Sequence, residues 1–309
     1  MTAMPVQRVP YDEFGLFHEN AAEFGLRYDG PPVVRRRAVN LGDGRSLSSL
    51  VWGDATPELV LLHGGGQNAH TWDTVAMALE RPLVAIDLPG HGHSDGPRPG
   101  GNSATNADDL ATVIEAIAPD ARAVVGMSAG GLASLGIAAR RPELVRSLVL
   151  VDILPNPDPA AARKIGDFID GPATFESFDD LLARTMQFNP TRSESSLRRG
   201  ILHNATQLDD GSWQWRHQRH RGQARVTAPE DPAERMSTMW DTIGGLGVPT
   251  LLVRGMAEGS VVTDEAEAEL RRRLPAARVE HVAGAGHSVQ GDKPIELAGI
   301  LAAFLTEVS

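Results

Sequence analysis

The residues with the clearest chemistry lie in Gly126-Met127-Ser128-Ala129-Gly130-Gly131. Ala123-Val124-Val125 before them is an apolar run, and Leu132-Ala133-Ser134-Leu135 after them opens a helical stretch, so Ser128 stands at a strand-to-helix turn. Such a turn is strained, and the residues around it must lack bulk, which the glycines at 126, 130 and 131 supply. The hydroxyl then projects into a cleft, while the Ala129 amide at the helix N-terminus points toward any anion forming beside it. A nucleophilic serine is the chemistry that suits this arrangement. The plain alternative is a glycine-rich turn with an exposed serine, since a chain with 32 glycines produces Gly-x-Ser-x-Gly by chance.

Three other constellations suggest different chemistry. Gly64-Gly65-Gly66-Gln67-Asn68-Ala69 follows an apolar run and precedes Asp87 at the end of the next one, which is a dinucleotide-binding pattern. Against it, Asp87 runs into Leu88-Pro89-Gly90-His91-Gly92 rather than the short loop that a ribose contact needs. His91, His93 and Asp95 match part of a binuclear zinc motif, but Gly96 stands where a further histidine belongs. The simpler role of that loop is a glycine-rich turn, and no metal is expected. Arg216-His217-Gln218-Arg219-His220-Arg221 beside Trp213 and Trp215 looks locally like a nucleic-acid patch. The net charge of -11 argues against a nucleic-acid partner, because phosphate binding needs a basic surface, and the run reads as an exposed segment. Arg35-Arg36-Arg37 and Arg271-Arg272-Arg273 likewise read as solvated faces of a strand and a helix.

The elements that must position these residues follow one rhythm. Strands are expected at Val33–Val39, Ser46–Trp52, Leu59–Leu62, Leu83–Ile86, Ala123–Val125, Leu148–Val151, Thr250–Val253 and Val279–Val282. From the third onward they are continuous apolar runs alternating with helices, which implies a mostly parallel sheet covered on both faces. Between Asp152 and Val248 the rhythm stops, and helix-like stretches near 160–170, 176–188, 193–206 and 233–244 suggest a helical insertion over the carboxyl ends of the strands. In residues 11–26, Phe14, Phe17, Ala21 and Phe24 share one helical face. With no cysteine in the chain, disulfides and thiolate chemistry are excluded. The acidic first thirty residues lack a long apolar run, so a cytoplasmic protein with no membrane span is the expectation.

His63-Gly64-Gly65-Gly66, Asp87-Leu88-Pro89-Gly90-His91-Gly92-His93-Ser94, the Ser128 turn and Gly284-Ala285-Gly286-His287-Ser288 occur in an order and spacing that resembles the α/β-hydrolase superfamily. His63 through Trp72 and Gly286-His287-Ser288-Val289-Gln290 look like its actinobacterial, mycobacterial carboxylesterases. The resemblance spans residues 33–309, and the first 32 residues carry no family motif. It implies an α/β-hydrolase fold: a mostly parallel eight-stranded sheet with helices on both faces and a helical cap. The corresponding division is an N-terminal extension at 1–32, core at 33–154, cap at 155–245 and core at 246–309.

Within that resemblance Ser128 is the nucleophile of an ester hydrolase, and His287, in a glycine loop after the last strand, is its base. Gly65 and Ala129 supply the oxyanion amides. The third member departs from the commonest pattern, in which the acid follows the seventh strand. Arg254–Val262 contains no aspartate there, although Glu258 is close to the place. Asp152 ends the sixth strand, where some superfamily members carry the acid, and it is preferred because a strand end is rigid. The expected substrate is a small carboxylic ester or a lactone, and no cofactor is required. A receptor-like hydrolase with negligible turnover and a cofactor-independent oxygenase on the same fold are the alternatives. Acyl length, oligomeric state and the role of the N-terminal helix stay open.

Overall fold

The computed structural model describes residues 8–100, 103–217 and 232–308. Its centre is an eight-stranded sheet in the order β1 (Val34–Asn40), β2 (Ser46–Trp52), β4 (Leu83–Ile86), β3 (Leu59–Leu62), β5 (Ala123–Met127), β6 (Leu148–Val151), β10 (Thr250–Gly255) and β11 (Arg278–Val282). The two pairings of β2 are antiparallel and the other five in the sheet are parallel. The expected α/β-hydrolase fold is thus present.

Two-sided burial explains the apolar runs. In β3, Val60 and Leu62 face one core cluster while Leu59 and Leu61 face the other, and all four are fully enclosed. Helices α3 (Ser103–Ile117), α4 (Ala129–Arg140) and α9 (Asp264–Arg273) cover the first face. Helices α2 (Asp73–Leu79) and α11 (Pro294–Glu307) cover the second.

Helix α1 is shorter than the apolar spacing predicted: it runs Phe17–Phe24 and stops at Gly25, whose φ of 66° closes the last turn. Phe17 is buried edge-on against Trp52, with ring centroids 5.2 Å apart, a burial worth about 2–3 kcal/mol. Phe14 precedes the helix and stacks on Phe17.

Between β6 and β10 the structure has helices α5 (Pro159–Ile169), α6 (Phe178–Phe188), α7 (Glu194–Asn204) and α8 (Pro232–Gly244). It also has a small antiparallel sheet of β7 (Thr174–Phe175), β9 (Trp213–Trp215) and β8 (Ala205–Gln207), so this segment is not wholly helical. The segment read as exposed begins in that sheet: Trp213 and Trp215 are buried with Leu181, Ile201 and Leu202, because β9 is the middle strand. Gln218–Arg221, the rest of the arginine-histidine run, lies outside the described residues. Among the described residues no helix is long and apolar enough to cross a membrane.

Of the arginine triplets, Arg271–Arg273 lies on α9 and pairs with Glu267, Glu269 and Asp241 at the surface. Arg36 corrects the other reading. The pleat of β1 turns it away from Arg35 and Arg37, and its guanidinium bonds Glu13, Ser48 and the fully buried Asp87.

Candidate active site

Ser128 stands between β5 and α4 with φ 51° and ψ −117°, a backbone conformation that a non-glycine residue adopts only when its surroundings enforce it. Close approach enforces it here. A Cβ on Gly126 would lie 2.5 Å from both the Gly130 carbonyl oxygen and Ser134 Oγ, and one on Gly130 would run into the Leu62 carbonyl. These glycines let α4 start directly against the end of β3.

The sheet register brings the other residues to the same edge. Met127 pairs with Val151, so Ser128 and Asp152 follow neighbouring strand ends, and the Ser128 amide bonds the Val151 carbonyl at 3.3 Å. Asp152 is fully buried with φ 46°. Its Oδ1 accepts from the Gly255 amide at 3.0 Å and the Ser260 hydroxyl at 2.6 Å. Oδ2 accepts from the Val261 amide at 3.0 Å and from His287 Nδ1 at 2.9 Å. Four donors thus converge on one carboxylate, two on each oxygen. With its proton on Nδ1, the His287 ring leaves Nε2 as a base. Glu258, the other acid the sequence offered, has an exposed side chain on the turn between Met256 and Ser260; the ring bonds Asp152.

The loop after β3 lies on the other side of Ser128. A Cβ on Gly65 would stand 3.9 Å from Ala129 Cβ, so the two amides proposed from sequence sit on abutting segments. The Gly64 amide bonds Gln67 Oε1, the Gly66 amide bonds His91 Nε2 and the Gln67 amide bonds the Gly64 carbonyl. Among the described residues, the Gly65 amide makes no hydrogen bond.

The competing motifs have structural work instead. Asp87 accepts from the Ala69 amide, the His93 amide and Arg36, all inside the protein, and is not presented to a ribose. His91, His93 and Asp95 do not converge: His91 holds Gly66, and Asp95 caps the Ser46 amide and hydroxyl. Among the described residues, the His/Asp group that does cluster is His70, Asp73 and His203, all buried. The rings of His70 and His203 are stacked, 3.8 Å apart and 9° from parallel, so no single point lies in both ring planes as shared metal ligation demands.

This cluster was not legible in the sequence. Burial works against a charged His70, but its bonds to Asp73 and Glu13 outweigh it and hold its pKa up at about 9. Burial and the neighbouring positive groups push His203 well below the ordinary histidine range, so the stacked pair joins one charged and one neutral ring. Tyr11 bonds His203 Nδ1, and Arg199 is ion-paired with Glu23, so the N-terminal segment ties the core to α7. The remaining signal was the spacing of His70 and Asp73, one helical turn apart.

The sheet order, the turn at Ser128 and the histidine loop after the last strand define an α/β hydrolase. Residues 57–294 match the family described as alpha/beta hydrolase fold, and the chain belongs to it. It is 40% identical over 302 residues to Esterase Rv0045c of Mycobacterium tuberculosis, covering 95% of this chain and 96% of that protein. A crystal structure of that esterase superposes with a TM-score of 0.80 over 97% of this chain and 100% of that one. The chain is also 27% identical over 260 residues to the 3-hydroxybutyrate-oligomer hydrolase of Cupriavidus necator, covering 80% of this chain and 88% of that protein.

Proposed function

We propose that this protein hydrolyses carboxylic esters through an acyl-enzyme on Ser128. His287 Nε2 takes the hydroxyl proton as Ser128 Oγ attacks the ester carbon, and then delivers it to the departing alcohol. The amides of Gly65 and Ala129 hold the oxyanion, each donor being worth about 2.7–4 kcal/mol in the transition state. A water activated by the same histidine releases the acid. Asp152 fixes the ring tautomer and stabilises the imidazolium, and Glu258 has no part.

The observation that carries this reading is the His287–Asp152 bond of 2.9 Å at the strand end beside the strained Ser128 turn. The segment 155–245, apart from residues 218–231 that lie outside the described residues, acts as a cap, and residues 8–32 of the 1–32 extension strap it to the core. The cap's Ile169 supports its role in acyl selection, since its side chain would lie 3.6 Å from a Cβ on Gly65. The substrate is a small ester or a lactone whose acyl chain passes beneath Ile169.

Turnover of p-nitrophenyl esters of graded acyl length tests the proposal, together with a fluorophosphonate probe whose mass should appear on Ser128. Many product molecules per protein should form without oxygen uptake. Product limited to one equivalent would favour a receptor, and oxygen consumption an oxygenase. Labelling of the Ser128→Ala variant at the wild-type rate would overturn the assignment.

A further inference from the structure

The oxyanion loop is held from two sides by residues that no reaction step uses. His91 Nδ1 lies 3.1 Å from the Pro89 carbonyl, an acceptor only, so that nitrogen carries the ring proton. Nε2, 3.1 Å from the Gly66 nitrogen, is then the acceptor of the Gly66 amide. On the opposite side of Gly66, Asn204 at the end of α7 donates Nδ2 to the Gly66 carbonyl at 2.5 Å. The Asn204 side chain is itself oriented, because Asn68 Nδ2 donates to its Oδ1 at 3.2 Å and to the His203 carbonyl at 2.9 Å. Asn68 is in turn fixed by the His70 amide on its Oδ1.

Both peptide groups of Gly66 are thus occupied, one by the loop after β4 and one by the cap. Gly66 has φ 75°, a conformation with no side chain to lock it by packing, so hydrogen bonds must hold it. The Gly65 N–H lies on the 64–65 peptide plane, joined through the Gly65 Cα to the 65–66 plane that carries the bonded Gly66 N–H, so fixing the second plane narrows the orientations open to the first. We propose that His91 and Asn204 are positioning residues that clamp Gly66 and so aim the Gly65 amide at the oxyanion, making the oxyanion hole depend on the seating of the cap. The clamp rests on the reading of Gly65 as an oxyanion donor.

A loop with a misaimed donor still binds ground-state ester, so loosening the clamp should lower kcat and leave KM nearly unchanged. His91→Leu removes the acceptor, and Asn204→Ala removes the cap's donor. Each should cost on the order of 10–10² in kcat, short of the 10²–10³ for outright loss of a donor. Affinity for a trifluoromethyl ketone, which forms a tetrahedral adduct on the serine, should weaken in parallel with kcat/KM. His91→Gln, with an amide oxygen near the place of Nε2, should recover much of the lost kcat. Because both substitutions loosen one unit, the double variant should lose less than the product of the single losses.

Wild-type kcat in a folded His91→Leu or Asn204→Ala variant would overturn the clamp. So would a loss confined to KM, or lost kcat with unchanged ketone affinity. Should His91→Leu fail to fold, Asn204→Ala alone decides by the same readings. Retained hydrolysis in Ser128→Ala would instead sink the reading of the site itself, which keeps the two failures apart.

Discussion

Asp152→Asn places the heaviest demand on the proposed site. The carboxylate accepts two hydrogen bonds on each oxygen, from Gly255 and Ser260 on one and from Val261 and His287 on the other. Asparagine offers one oxygen and one NH2 group, so in either orientation an N–H faces a buried backbone N–H that cannot reverse. If the NH2 takes the place of Oδ1, Ser260 turns its hydroxyl and accepts, but Gly255 loses its acceptor. If it takes the place of Oδ2, Val261 loses its acceptor, and the His287 proton moves to Nε2, where the ring no longer serves as a base.

Both orientations strand one buried donor, a cost of about 1–3 kcal/mol, and both remove the charge that steadies the imidazolium. The expected outcome is a folded protein whose Tm is lower by roughly 2–10 °C and whose kcat falls about 10⁴-fold, as for the same change in a serine protease. Steady-state kinetics on one p-nitrophenyl ester, beside thermal melts, reads both quantities. Glu258→Gln, assayed in parallel, should match wild type. A folded Asp152→Asn variant within tenfold of wild-type kcat would refute the reasoning, and a large loss in Glu258→Gln would move the role to the turn after β10.

Other consequences are open to direct measurement. Ser128→Ala should lose about 10⁶-fold in kcat while melting like wild type, and a variant keeping a tenth of the activity would remove Ser128 from the mechanism. Raised from an ordinary 6.5 to about 9 by its bonds to Asp73 and Glu13, His70 contributes stability that is complete below pH 6.5 and lost as pH rises through 9. That loss amounts to up to about 3 kcal/mol. The Tm gap between wild type and His70→Gln should therefore narrow over that interval, and a gap that widens would contradict the charged ring. Ile169→Ala should shift preference toward bulkier acyl groups, by about tenfold in relative kcat/KM between a short and a branched ester; an unchanged ratio would place the acyl chain elsewhere.

Much of the frame was legible because its strands are continuous and apolar. Leu59–Leu62, Leu83–Ile86 and Leu148–Val151 appear at the residues expected, since burial on both faces leaves little room for polar positions, and Ser46–Trp52 does so too although it carries three serines. The small sheet was not legible: strands of two or three residues are too short to show a period of two, and Trp213 and Trp215 next to arginine look polar in sequence. Arg36 could have been found, because alternation separates it from Arg35 and Arg37, but a run of like charge obscures alternation. Asn204 was hidden by distance along the chain: it lies 138 residues from Gly66, so their pairing leaves no local trace. His287 and Asp152 are 135 residues apart and were brought together in sequence only through the family resemblance.

The N-terminal strap sets an order of assembly. Arg8 bonds the Gln207 carbonyl across 199 residues, Tyr11 reaches His203 across 192, and Glu23 reaches Arg199 across 176. At roughly 5–20 residues per second of synthesis, the strap waits on the order of 10–40 seconds after leaving the ribosome before its partners exist. During that interval Glu13 finds Arg36 and His70 early, while Tyr11 and Glu23 have nothing to hold. Residues 8–23 are thus made well before their partners on the cap and are among the last to finish docking, so a protease present during translation would meet them unpaired on a chain whose sheet is already forming.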